Sequence, residues 1–230
     1  MGYHLVTRSP VHPFTLSPPL MKQRPLDFLA HNRVGIVRTA RIYSNVVSPP
    51  VMFAIVGLAF GLYAEPNWTG FMWAAVYGLL VSLAPILVVL YLLKTGRIAE
   101  LHMSNTRERN IPYVSAVVFA AIAYSLITAF DGPELLGCLA IFNVIELAGL
   151  AVINHFWLIS LHATGAMATA VLVTLVFGWT AGLLVGIPLV VSVCWVRLFL
   201  KRHSVAQVAA GLALGTAVVL ILVPFGCFVP

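Results

Sequence analysis

The chain alternates long apolar runs with short polar connections. Seven apolar segments meet or approach the roughly 20 residues that a helix needs to cross a bilayer. They lie at about residues 46–64, 69–93, 112–130, 134–152, 162–178, 180–200 and 204–225. The connections AEPNW, DGPE and GWT are short and carry the glycine and proline of tight turns. The pattern predicts an all-α integral membrane protein with about six to seven transmembrane helices.

A basic segment precedes the first span. In LDFLAHNRVGIVRTARIYSNVV, apolar residues recur at helical spacing with Arg33, Arg38 and Arg41 between them. This pattern predicts an amphipathic helix in the membrane interface, with its basic side toward anionic headgroups. We therefore divide the chain into residues 1–45, a tail with an interfacial helix, and residues 46–230, a single transmembrane domain.

The composition agrees with a membrane location. Of the 230 residues, 61% are hydrophobic and 9% are charged, and the mean hydropathy is +1.01. The net charge of +6 does not indicate a nucleic-acid partner, because the apolar runs leave no soluble domain to carry such an interface. Cys138, Cys194 and Cys227 stand singly in apolar runs without metal-ligand spacing, so we expect them to be small apolar residues of the helices.

Charge is confined to one side of the predicted topology. Counting through the spans places the N-terminal tail, the loop 94–111, the segment 153–162 and the junction 200–204 on one face. All thirteen Lys and Arg residues fall at or near this face, and the positive-inside rule predicts that it and the N-terminus are cytoplasmic. All seven histidines fall there too. Because that rule does not concern histidine, this face is the candidate for chemistry.

Two polar segments on this face carry histidine. The loop KTGRIAELHMSNTRERNIPY holds His102, Arg107 and Arg109, although a solvated cytoplasmic loop has the same composition. The segment NHFWLISLHATGAMA places His162 beside Ser160 at the start of the fifth span. Free backbone N–H groups at a helix start bind anions, while the small residues that follow equally suit close helix packing.

The third segment, RLFLKRHSVAQVAAG, joins the last two predicted spans. Arg197 ends the sixth span and His203 begins the seventh. Gln207 lies four residues further on, on the same helical face as His203. A glutamine at that spacing can hydrogen-bond one ring nitrogen and fix which nitrogen faces outward.

Taken in order, the three segments resemble the motifs of the type 2 phosphatidic acid phosphatase superfamily, a group of membrane phosphatases. Its motifs are K-x6-R-P, P-S-G-H and S-R-x5-H-x3-D, to which HMSNTRERN, ISLH and VRLFLKRHSVAQ correspond in turn. The resemblance covers roughly residues 94–215. Six positions depart from the pattern. His102 stands for the lysine, Leu161 for the glycine and Gln207 for the closing aspartate. Asn110 and Ile159 stand for the two prolines, and Val196 stands for the leading serine.

The resemblance implies a helical bundle of that family and a lipid phosphate phosphatase. His203 would attack phosphorus to form a phosphohistidine, His162 would protonate the leaving oxygen, and Gln207 would orient His203. The residues expected to bind substrate are Arg107, Arg109, Arg197, Ser160 and His102. The implied substrate is a phospholipid or polyprenyl phosphate or diphosphate, and the family chemistry uses no metal or organic cofactor.

The departures from the motifs favour an alternative without turnover. Gln207 brings no negative charge, and Leu161 occupies a place where glycine lets backbone approach an anion. On this interpretation the chain binds a lipid phosphate or serves as a structural subunit of a larger membrane complex. A transporter is less favoured, because its polar residues would cluster near the membrane midplane.

One acidic residue lies within a predicted span and outside the three motifs. Glu146 shares a helical face with Asn143 in the fourth span, and an intramembrane carboxylate is costly unless it is paired or protonated. We favour a structural interpretation, an interhelical hydrogen-bond pair or a partner for a motif arginine. A proton or headgroup contact is the functional alternative.

Overall fold

The computed structural model describes residues 25–98 and 107–228. All regular secondary structure in these two ranges is helical. The α-helices are α1 Gly35–Val46, α2 Pro49–Ala64, α3 Trp68–Tyr77, α4 Ala84–Lys94, α5 Asn110–Ala129, α6 Glu134–Phe156, α7 Leu161–Phe177, α8 Trp179–Ala181, α9 Ile187–Phe199 and α10 Val205–Leu222. The all-α prediction is confirmed for the described part of the chain.

Several of these helices are long and apolar enough to cross a membrane. In the described ranges there are five by length and composition: Trp68–Lys94, Asn110–Ala129, Glu134–Phe156, Trp179–Phe199 and Val205–Phe225. A sixth is obtained if α1 and α2, which are bent by 47° relative to each other, form one broken span. The helix at the predicted fifth span, α7, has 17 residues and is apolar but shorter. The chain is therefore built as a multi-pass membrane protein, with five or six such spans.

The predicted amphipathic helix is present but shorter than its sequence pattern. It begins at Gly35, whose φ of +50° suits glycine, and residues before it form turns and a single 3-10 turn. Pro49 and Pro50 begin α2, and proline disfavours helical backbone in the residue before it. The chain therefore bends between α1 and α2, and Ala40 of α1 packs against α9.

Two spans contain a wider π-helical segment in front of a proline. Gly78–Leu83 precedes Pro85 between α3 and α4, and Gly182–Gly186 precedes Pro188 between α8 and α9. Because proline has no N–H to donate to the preceding turn, the regular hydrogen-bond ladder is interrupted there, and a wide turn absorbs the break.

The interior is organised around α6 and α7. The α5 helix packs along α6, and α10 packs along α7. The main hydrophobic core includes Phe60, Phe142 and Leu172, with α2 and α3 closing one side. This arrangement brings the end of α9, the start of α10 and the start of α7 together at the basic end of the bundle.

The prediction that the three cysteines are small apolar residues of the helices is wrong for two of them. Cys138 and Cys227 form a disulfide, with their Cα atoms 5.5 Å apart, while Cys194 is free. Cys138 lies in the second turn of α6, and Cys227 follows α10. They are 89 residues apart in the chain, so their approach depends on how the helices pack. The disulfide lies at the end of the bundle opposite the histidine segments.

Candidate functional site

The end of α1 connects the second and third motif segments. The Ser44 carbonyl oxygen lies 2.9 Å from His162 Nε2, and a terminal nitrogen of Arg197 donates to Ser44 Oγ at 2.9 Å. Arg197 is 4% exposed, and its Nε has no hydrogen-bond partner among the described residues. Ser44 therefore holds a histidine and an arginine from different helices at one place.

The junction between α9 and α10 carries His203. Two residues before His203, Lys201 has a left-handed φ of +53°. Because of this backbone conformation, the chain turns sharply after α9. The backbone of Leu158 lies beside the His203 ring. The Nδ1 atom of His203 is buried and has no hydrogen-bond partner in the described ranges. Burial of the ring, together with the charges of Arg197 and Arg109, lowers the pKa of His203 well below its ordinary value, so the imidazole is neutral at pH 7.

Gln207 does not make the hydrogen bond to His203 that its spacing suggested. Its side-chain carbonyl accepts from the Ser204 backbone N–H at 2.8 Å, and Ser204 Oγ accepts from the Gln207 N–H at 3.3 Å. This reciprocal pair is a capping box at the start of α10. Gln207 therefore caps α10, and the prediction that it orients the His203 ring through a hydrogen bond is wrong.

Ser160 joins the second and third segments through its backbone. Its N–H donates to the Gln207 carbonyl at 3.2 Å, and its Oγ accepts from the Ala163 N–H to cap α7. A Cβ atom at Gly211 would lie 2.8 Å from the Ser160 carbonyl oxygen, so only glycine permits this approach of α10. Ser160 is buried and is not among the residues that line the cavity described below.

The first motif segment is described only in part. His102 lies outside the described residues. Arg107 belongs to the 3-10 turn Arg107–Arg109, and its side chain is likewise not described. Arg109 is hydrogen-bonded to the Tyr113 hydroxyl, which also accepts from Asn154 at 2.8 Å. Arg109 is thus held against the first turn of α5 and the last turn of α6.

These groups converge on a single cavity. It has a volume of about 420 Å³, and Arg109, His162, Arg197 and His203 all line it. These four residues come from three parts of the chain separated by transmembrane helices. Leu161 also lines the cavity, and so the residue in the place of the motif glycine contributes an apolar wall. A basic end with two histidines is an arrangement that suits a phosphate group.

The deeper part of the cavity is largely apolar. Its walls include Phe53, Val81, Pro85, Val89 and Ala116. The polar residues there come from α6, and they are Asn143 and Glu146. A basic end above an apolar chamber matches an amphiphile whose charged group is at the interface and whose chain extends toward the membrane interior.

Glu146 is not paired as we expected. The Asn143 amide donates to the Tyr77 hydroxyl at 2.8 Å and to the Leu139 carbonyl at 2.6 Å. Glu146 is fully buried, and neither of its carboxyl oxygens has a hydrogen-bond partner among the described residues. The favoured interpretation, an interhelical hydrogen-bond pair or an arginine partner, is therefore wrong.

Sequence reasoning missed Asp27 and Ser44. Asp27 is fully buried and binds Arg202, the residue before His203. It is the single acidic residue of the predicted amphipathic segment, and an acid inside a basic interfacial helix could have marked it. Ser44 gave no comparable signal, because a serine at the end of such a helix is ordinary.

The comparisons with known proteins give no match to this chain. No protein-family model, no curated protein and no solved structure matches it. The function therefore has to be argued from the residues of the cavity.

Proposed function

We propose that this protein is an integral membrane phosphatase that hydrolyses a lipid phosphate or diphosphate, and that its helices form a bundle like that of the type 2 phosphatidic acid phosphatases. One observation carries the proposal: Arg109, His162, Arg197 and His203 line the same cavity. Each of the four occupies a motif position in the sequence. Two arginines and two histidines around one space supply the charge and the proton carriers that phosphoryl transfer needs.

The proposed reaction has two steps. A ring nitrogen of His203 forms a bond to phosphorus while the bond from phosphorus to the lipid oxygen breaks, and His162 gives that oxygen a proton. Water then attacks the phosphohistidine, which releases inorganic phosphate and restores both histidines. Arg109 and Arg197 hold the nonbridging oxygens, because a guanidinium is always charged and can bind two oxygens at once. The neutral His203 is the form that can act as nucleophile.

The direct test is phosphate release by the purified protein in detergent. The substrates are phosphatidate, farnesyl phosphate and farnesyl diphosphate, and the variants are His203→Ala and His162→Ala. His31→Ala is the matched control, since His31 is an exposed histidine of the same face and does not line the cavity. We expect release by the parent and the control, and a loss of at least about 100-fold in each of the two cavity variants. No release by the parent, or equal release by all variants, would rule out the phosphatase.

A lipid-phosphate binder without turnover is the second candidate. The observation that favours it is the capping box, because the Gln207 side chain is bonded to the Ser204 backbone and does not orient His203. In this case the parent binds phosphatidate in detergent with an affinity that falls in Arg197→Gln, but releases no phosphate. Stoichiometric copurification with other membrane subunits would instead support a structural role in a complex.

We also propose that the cavity end and the N-terminus face the cytoplasm. The cations of the described loops lie at this end, as the positive-inside rule requires for a cytoplasmic face. The Cys138–Cys227 disulfide lies at the opposite end, and disulfides persist in oxidising compartments outside the cytoplasm. Two independent features thus favour the same orientation.

A further inference from the structure

Glu146 lies in the wall of the cavity, and its carboxyl group has no hydrogen-bond partner among the described residues. The residue is fully buried in the middle of α6. A buried carboxyl without a partner costs several kcal/mol within a membrane. Since Glu146 lines the cavity that Arg109, His162, Arg197 and His203 also line, a ligand in that cavity is placed to supply the missing partner.

The polar side chains near Glu146 form hydrogen bonds with other groups. Both amide hydrogens of Asn143 are used, by the Tyr77 hydroxyl and the Leu139 carbonyl. The Tyr113 hydroxyl is hydrogen-bonded to Asn154 and Arg109. In the described ranges neither of these hydroxyl groups forms a hydrogen bond with Glu146, and Glu146 lines the cavity.

Glu146 lies well below the basic end. Asn154, in the last turn of α6, marks the level at which Tyr113 and Arg109 are held. Glu146 is eight residues earlier on the same helix, about 12 Å along its axis. Leu147 and Ala116 line the cavity as well, so a ligand extending inward from the basic end meets apolar walls and then one carboxyl group.

We propose that Glu146 determines substrate specificity by hydrogen-bonding an oxygen in the linker of the lipid, the hydroxyl or ester carbonyl of a glycerol ester whose phosphate lies at the basic end. The inference rests on the proposed function for the position of the phosphate. A hydroxyl satisfies the carboxyl group in either protonation state, because it both donates and accepts. A polyprenyl phosphate has only hydrocarbon beyond its phosphate and leaves Glu146 unsatisfied. The cavity therefore selects glycerolipid phosphates over polyprenyl phosphates.

The test compares two lipids that share a chain and a phosphate. In 1-oleoyl lysophosphatidate a glycerol ester joins the chain to the phosphate, and in oleyl phosphate the same chain is attached directly. Binding to the purified protein in detergent is measured by titration calorimetry, and phosphate release is measured in parallel. The variants are Glu146→Leu and Glu146→Gln, and the matched control is Glu134→Gln, an exposed acid at the other end of α6.

We expect the parent to prefer lysophosphatidate, and Glu146→Leu to reduce the ratio of the two affinities about tenfold, the effect of one buried hydrogen bond. Glu146→Gln keeps part of the preference because an amide also donates and accepts, and Glu134→Gln keeps all of it. Thermal unfolding in detergent verifies that each variant is folded.

The outcomes separate this inference from the proposed function. An unchanged affinity ratio in Glu146→Leu, with phosphate still released, overturns the inference and leaves the phosphatase in place. A reduced ratio without phosphate release by any form supports the inference and rules out the enzyme. A parent that binds neither lipid overturns the inference.

Discussion

Asp27 and Arg202 form a buried bidentate ion pair. Arg202 Nε donates to Asp27 Oδ1 at 3.0 Å, and a terminal nitrogen of Arg202 donates to Asp27 Oδ2 at 2.7 Å. The Leu26 N–H also donates to the Leu200 carbonyl at 3.0 Å. The chain before α1 is therefore bound to the junction that carries His203. A part of the protein that the sequence suggested was only an interfacial tail helps to position the site.

Removal of the Asp27 charge tests this role. In Asp27→Asn the buried Arg202 loses its counter-charge, and we expect the free energy of unfolding to fall by about 3 kcal/mol. Asp131→Asn is the control, since Asp131 is exposed and asparagine also adopts its left-handed backbone. Chemical denaturation in detergent measures both. Equal stability of the two variants would show that the pair does not anchor the junction.

Much of the fold followed from the sequence, for a physical reason. A membrane span depends mainly on its own residues, because an apolar run of sufficient length forms a helix in the membrane. The predicted end of the fourth span, residue 152, is only four residues before the observed end at Phe156. The motif histidines could be assigned to one face because helices reverse direction at each turn. The Cys138–Cys227 disulfide and the Asp27–Arg202 pair could not be foreseen, because each joins residues that meet only when distant helices pack.

The close approach of α10 to α7 can be tested at Gly211. Gly211→Ala places a Cβ atom 2.8 Å from the Ser160 carbonyl oxygen, and we expect a loss of about 1–3 kcal/mol of stability from overpacking. Gly149→Ala is the matched control, because its nearest new contact is at an ordinary 3.8 Å. That control should be neutral or slightly stabilising, since alanine favours helix. If both substitutions have the same effect on thermal unfolding, the steric explanation fails.

The lowered pKa of His203 makes stability depend on pH. Above about pH 6.5 the histidine is neutral in the folded and unfolded states alike. Below that value the unfolded chain takes up a proton that the folded protein does not, so the parent loses up to about 1.4 kcal/mol per pH unit as the pH falls. We expect His203→Gln to lose less stability than the parent between pH 6.5 and 5, as measured by denaturation. A parallel decline in parent and variant would contradict a buried neutral His203. His31→Gln is the control for the loss of a histidine as such.

Chemical labelling of two exposed lysines tests the orientation of the protein in the membrane. Lys94 and Lys201 lie at the cavity end of the bundle and are exposed. If this end is cytoplasmic, a membrane-impermeant amine reagent should modify them only after the cells are permeabilised. Glu134→Lys adds an exposed lysine at the opposite end, and it should react in intact cells. Modification of Lys94 and Lys201 in intact cells would reverse the proposed orientation.

The central claim is that His203 is the nucleophile of a lipid phosphatase, and trapping of the phosphorylated enzyme tests it most directly. The purified protein is mixed with phosphatidate, quenched in alkali, which preserves phosphohistidine, and analysed by peptide mass spectrometry, with His203→Gln in parallel. We expect phosphate on His203 in the parent, and neither modification nor phosphate release in the variant. Phosphate release by the parent with no phosphorylated His203, or equal release by His203→Gln, would contradict the account.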